Sequence, residues 1–279
     1  MLAGLIGAAA AAIAYGAASV LQAIGVQHMA AVPSGAMLRS RLAAGRPYAL
    51  GLILDVLGFV ASVAALRTLP LFLVESAVAS SVAVTAVLAV LVLDLRLRRA
   101  EITALAVIGV GLVLLAVSAE PGPAHRTGVA AGWVLLGTVA LVALLLLIGL
   151  RDANHARASL VLATTAGLGF GLVGIAARAL AVRHPWWRTA ADPVLWALLA
   201  QGALAVVAFG FALHRGRVTT VAAITMVAET IFPAVVGLVF LGDAVRQHLV
   251  PVAIIGFLAT LAGSLALADQ AEIDAAQVR

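Results

Sequence analysis

Nine mostly apolar stretches follow one another along this chain, and their lengths constrain the fold more than any motif does. They cover about 2–26, 48–66, 69–93, 101–118, 128–150, 158–182, 193–214, 218–241 and 248–268. About 20 helical residues, rising 1.5 Å each, match the roughly 30 Å hydrocarbon core of a bilayer. The polar breaks between them, such as "DLRLRR", "RDANHAR" and "HRGR", are too short to hold a soluble domain. The second and third stretches are parted only by "RTLP", at Arg67 to Pro70.

Composition agrees. The chain is 64% hydrophobic and 10% charged, whereas a soluble domain has roughly 45–50% apolar and about 25% charged residues. Backbone groups in lipid must bond within the chain, so a segment of this length spans as a helix. The fold class expected is an all-α integral membrane protein with nine transmembrane helices. The first stretch has no basic start and exceeds the usual apolar core of a signal peptide, so it reads as the first span. Cysteine is absent, which excludes disulfides and thiolate metal sites.

All 17 basic residues are arginines, and they fall mainly in the breaks. With nine spans the termini lie on opposite sides. One side then holds Arg39, Arg41, Arg46, Arg96, Arg98, Arg99, Arg151, Arg157, Arg215, Arg217 and Arg279. The other holds Arg67, Arg126, Arg178, Arg183, Arg188 and Arg246. The richer side is expected to be cytoplasmic, in a plasma (inner) membrane, with the N-terminus outside and the C-terminus inside. Trp186 and Trp187 read as interfacial anchors.

A shift of 147 residues lays spans two to four over spans seven to nine, with Ala65/Ala212, Val74/Val221 and Gly109/Gly256 among the coincidences. Spans one and six complete two four-helix units, and span five connects them. The expected segments are 1–127 (first repeat), 128–157 (connecting helix and loop), 158–268 (second repeat) and 269–279 (cytoplasmic tail). A single connecting span inverts the second unit, an architecture that places a transporter's site near the midplane.

Three carboxylates fall inside spans: Asp55, Glu75 and Glu229. A carboxylate at the bilayer centre costs about 2.5–3.5 kcal/mol on insertion scales, so it faces protein or water. Glu229 sits about mid-span and suits a proton carrier or cation ligand; the plainer reading is a bonded glutamic acid between helices. Pro233, one turn on, removes the hydrogen bond to the Glu229 carbonyl and predicts a helix bend. Thr225, one turn before, is expected to add a hydroxyl on the same face.

Gly51, Asp55, Gly58 and Ser62 form one stripe, suited to close helix contact or to a ligand. Glu75 lies near the outer end of its span, beside Ser76. Gly169, Gly171 and Gly174 spell G-x-G-x-x-G, but no strand precedes them; Gly167 and Gly171 form a GxxxG helix-contact pair instead. Arg178 is expected to snorkel outward, with carboxylate pairing as the other reading. Gln22 and Gln201 are expected to bond between helices. No H-E-x-x-H, G-x-S-x-G or P-loop pattern occurs, which argues against a hydrolase, a zinc enzyme or an ATP-driven pump.

The segment "VTTVAAITMVAETIFPAVVGLVFLGDAVRQHLVPVAIIGFLATLAGSLAL" resembles the repeat of the drug/metabolite transporter superfamily, EamA-like. The matching elements are Pro233, the turn Leu241-Gly242-Asp243, and then Gly256 and Gly263. The first half matches with Asp94-Leu95 at the turn and no proline aligned with Pro233. In layout the chain is most similar to the NIPA-type magnesium transporter branch. The resemblance implies alternating access around a central cavity, with no cofactor.

The leading expectation is therefore a secondary transporter of a metabolite, drug-like compound or divalent cation. Glu229, Thr225, Asp55, Glu75 and Ser62 are the candidate binding residues, Glu229 and Asp55 the candidate metal ligands, and Pro233 the bend. Partners would be the solute and the lipid bilayer, a homodimer being compatible and nucleic acid not. The other reading is a membrane scaffold or subunit without transport of its own.

Overall fold

The computed structural model describes residues 1–30, 44–93, 99–120, 122, 129–180, 187–216 and 218–277. Arg39, Arg41, Arg96, Arg98, Arg126, Arg183, Arg217, Arg279, Trp186 and the Asp94-Leu95 turn lie outside them. Among the described residues nine helices are long and apolar enough to cross a membrane. Large apolar side chains such as Ile53, Val60, Val113, Leu147 and Phe240 lie exposed along them. So much exposed apolar surface is the mark of a lipid-facing band, and the chain is a multi-pass membrane protein.

In chain order the elements are α1 (Leu2–Ala30), α2 (Arg46–Ala65), α3 (Leu71–Ala79), α4 (Ser81–Leu93) and α5 (Arg99–Ser118). Then come β1 (Ala119–Glu120), α6 (Val129–Arg151), α7 (His155–Ala179), α8 (Trp187–Ala190), α9 (Pro193–Arg215) and α10 (Val218–Phe240). Last are β2 (Ala244–Val245), a 3₁₀ turn (Gln247–Leu249) and α11 (Val250–Gln277). Because α11 runs on to Gln277, most of the expected tail continues the helix.

Local chemistry sets several ends. Asn154 accepts from the Ala156 and Arg157 N–H groups and starts α7, and Asp192 with Pro193 starts α9. Arg215 donates to the Gly149 and Leu150 carbonyls at 2.8 and 3.0 Å, capping the end of α6.

One span is not a single helix. The third breaks at Ser80, where the Ser80 hydroxyl donates to the Ala77 carbonyl at 2.6 Å and a turn separates α3 from α4. α10 is helical on both sides of Pro233. Pro233 fits the notch left by Gly171 of α7, where an added Cβ would lie 3.0 Å from Pro233 Cδ.

Packing follows the small residues. α1 lies along α2 and against α3 and α4; α7 lies along α9 and α10, with α6 outside. α5 packs lengthwise on α11, with Gly111 and Gly256 at the crossing. α7 is the most buried span. Its Gly167 meets Ala228 and the Thr225 carbonyl, so the GxxxG pair is the α7–α10 contact.

The core has three parts. At the end where residues 66–70, 118–120, 122, 178–180 and 241–246 gather, one cluster unites α2, α3, α7, α9 and α10 around Leu69, Leu71, Val74 and Ile175. Towards the other end the core divides. Leu146, Leu162 and Val221 form one cluster within α6, α7, α9 and α10. Ala104, Ile108 and Leu267 form another within α5 and α11.

Candidate functional site

Beneath the shared cluster lies a cavity of about 480 Å³. Its walls come from Tyr15 of α1, Phe59, Ser62 and Val63 of α2, Glu75 and Val78 of α3, and Phe170 and Gly174 of α7. α9 adds Leu198, Leu199, Gly202 and Val206, and α10 adds Glu229 and Thr230. The volume is that of a small-molecule site.

The carboxyl groups of Glu75 and Glu229 reach this one cavity from different halves of the chain. Gly174 makes the room: an added Cβ there would collide with Glu75 Oε1. Among the described residues neither carboxyl has a hydrogen-bond or ion-pair partner. Charged together they would repel. Among the described residues no arginine, lysine or histidine lines the cavity. Its hydroxyls are largely committed: Ser62 donates to the Gly58 carbonyl at 2.9 Å and Thr230 to the Met226 carbonyl at 2.7 Å.

Asp55 does not join them. It accepts from Gln22 Nε2 at 2.5 Å and ties α2 to α1. Its stripe faces α1 too, with Gly51 against Gln22 and Gly58 against Tyr15. Thr225 also turns away, its buried hydroxyl donating to the Ala163 carbonyl of α7 at 3.2 Å. The helix face that points Glu229 into the cavity takes Thr230 with it instead. Gln201 donates to Thr138 of α6 at 2.9 Å, a bond between helices. Asp55→Asn keeps an acceptor for Gln22. It is expected to change the melting temperature by less than about 4 °C, within roughly 1 kcal/mol, and to leave any ligand response of the cavity intact.

The largest correction concerns Arg178. It does not snorkel: it is 4% exposed and pairs with Asp243, itself 6% exposed, at 2.7 Å. Arg178 also donates to the Leu66 carbonyl and, at 3.0 Å, to the Gly122 carbonyl. Asp243 takes the first N–H of α3, from Leu71, on its other oxygen. Gly242, at φ 74°, makes the left-handed turn that returns Asp243 to the end of α10, where its N–H reaches the Gly237 carbonyl at 3.0 Å.

Around this pair the strands close the end. Ala119 pairs with Val245 and Glu120 with Ala244, antiparallel. Arg67 donates to the Leu180 carbonyl beside them. Burial, and then the charge of Arg178, hold the Arg67 guanidinium below its usual pKa.

Cap and cavity share parts. The Leu66 side chain lines the cavity while its carbonyl binds Arg178, and α3, which carries Glu75, is held at its start by Asp243. Two signals in the sequence pointed here: Arg178 is a lone arginine late in a span, and Asp243 ends the Leu241-Gly242-Asp243 turn. Neither shows that the two meet across 65 residues.

Among the described residues no three His, Cys, Asp or Glu side chains group to hold a metal ion, and the expected pair Asp55 and Glu229 is divided between the α1–α2 contact and the cavity. Comparison with known proteins returned no match to a family model, a curated protein or a solved structure.

Proposed function

We propose that this protein is a secondary-active transporter of a small solute, working by alternating access around the Glu75–Glu229 cavity. The observation that carries the reading is the cavity with two carboxyl groups from different halves of the chain, unpartnered among the described residues, next to a buried ion-paired cap at one end. A scaffold would have no use for such a space, and a buried carboxyl without a partner calls for an explanation.

The packing supports two inverted repeats. α1 touches α2, α3 and α4 as α7 touches α9 and α10, and α5 and α11, the last helix of each proposed unit, pack on each other. The broken third span resembles the discontinuous helices of transporters, which break where they line a site. The drug/metabolite transporter resemblance belongs to this proposal, with Leu241-Gly242-Asp243 forming the turn of the cap. The arginine bias places the capped end outside. The core shared at that end and divided at the other corresponds to an outward-closed state. A divalent-cation variant finds less support, because Asp55 and Glu229 do not share the cavity.

The absence of cysteine makes a direct test. Thr230→Cys, in reconstituted vesicles of known orientation, is treated with a membrane-impermeant thiol reagent from each side. Labelling is expected from the cytoplasmic side in the otherwise unchanged chain. Asp243→Asn, which weakens the cap, is expected to raise outside labelling at least fivefold. Equal inertness from both sides in both proteins overturns alternating access.

A further inference from the structure

The cavity's chemistry narrows what it would hold. We infer that it is the binding site of a lipophilic organic cation: one ammonium or phosphonium centre on an apolar, partly aromatic body. The inference rests on the transporter reading for its purpose but not for its test, since equilibrium binding requires no transport.

Three observations converge. Among the described residues Glu75 and Glu229 face the space without partners, and no basic side chain lines it. An anion would meet only repulsion there, while one positive charge satisfies a carboxyl pair that would otherwise repel itself. Next, Tyr15, Phe59 and Phe170 stand around the same space. Aromatic faces attract cations electrostatically and pack against apolar bodies. Most of the remaining lining is aliphatic, and the Ser62 and Thr230 hydroxyls donate to their own helices. A sugar would lose its hydrogen bonds to water and regain few. A magnesium ion, which keeps several waters in a strict octahedron, would put that shell against aliphatic walls.

The third observation concerns access. Leu199 and Val206 line the cavity and are also 52% and 62% exposed on the outer surface of α9. The space therefore opens beside α9 towards the lipid-facing side of the bundle. Solutes that partition into the bilayer have a path to it, which favours a lipophilic body over a hydrated one.

Tetraphenylphosphonium is the probe, with triphenylphosphine oxide as its neutral counterpart and Mg²⁺ as the inorganic cation. Binding is measured by calorimetry on the purified full chain in detergent. Saturable binding of tetraphenylphosphonium is expected, with at least tenfold weaker binding of the oxide. Millimolar Mg²⁺ is expected not to compete. Glu229→Gln and Glu75→Gln should each weaken the phosphonium at least tenfold, and melting curves confirm that the variants are folded. Phe170→Leu, which leaves both carboxyl groups in place, should weaken it about threefold or more.

Equal affinity for the cation and the oxide, or undiminished binding in the double Glu75→Gln/Glu229→Gln variant, would show hydrophobic partition and overturn the inference. Displacement by Mg²⁺ would overturn it as well, in favour of an inorganic cation. None of these results touches the thiol-labelling outcome, so the transporter reading stands or falls separately.

Discussion

Arg178→Met is expected to destabilise the folded protein by about 3–5 kcal/mol, the usual consequence of removing one partner of a buried ion pair. The reason lies less in the lost attraction than in what stays behind. Asp243 would remain buried with its charge uncompensated, keeping only the Leu71 N–H, and the Leu66 and Gly122 carbonyls would lose their donor. Asp243→Leu should cost a similar amount, leaving Arg178 charged between carbonyl groups. The double variant Arg178→Met/Asp243→Leu removes both charges and is expected to recover most of the loss, because apolar replacement of a buried pair is often close to neutral. Equilibrium unfolding in mixed micelles, read as a double-mutant cycle, measures this. If the single losses simply add in the double variant, the pair is not coupled and the cap does not hold the structure together as described.

The second large effect is expected at the α5–α11 crossing. A Cβ on Gly111 would lie 2.8 Å from the Gly256 carbonyl oxygen and 2.8 Å from the Thr260 nitrogen. Both obstacles are backbone atoms, which cannot rotate out of the way as a side chain does. Gly111→Val must push the two helices apart, and an overpacking cost of about 1–3 kcal/mol is expected. Gly256→Val meets the Gly111 carbonyl at the same 2.8 Å and should behave alike. Gly109, two residues earlier on the same helix, has nothing within 4 Å of an added Cβ. Gly109→Ala should therefore be neutral or slightly stabilising, since alanine is the better helix former. Equal losses at Gly109 and Gly111 would count against the crossing.

Much of the architecture was legible in the sequence. A run of about 20 apolar residues has essentially one way to satisfy its backbone in lipid, so the helices and their number followed from composition and spacing. The "RTLP" turn, the GxxxG contact and the inter-helix bonds of Gln22 and Gln201 were legible for a related reason. Small or amide side chains inside a span have few other uses than contact with a neighbouring helix.

The site was only half legible. A carboxyl group in a span announces that it faces protein or a cavity, and this marked Asp55, Glu75 and Glu229. Helical periodicity places residues on a face of their own helix, but not opposite any particular neighbour. That choice rests on how α2, α3, α7 and α10 rotate against one another, and it sent Glu75 and Glu229 into one cavity, Asp55 to Gln22 and Thr225 to Ala163. The sequence by itself determined the nine apolar helices found among the described residues and the cost of the carboxylates within them, because both follow from the chain and its solvent alone. Only the tertiary structure decided that the third span breaks at Ser80 and that Arg178 turns inward to Asp243. Such contacts join residues far apart in the chain, and their energies appear only once the helices are packed.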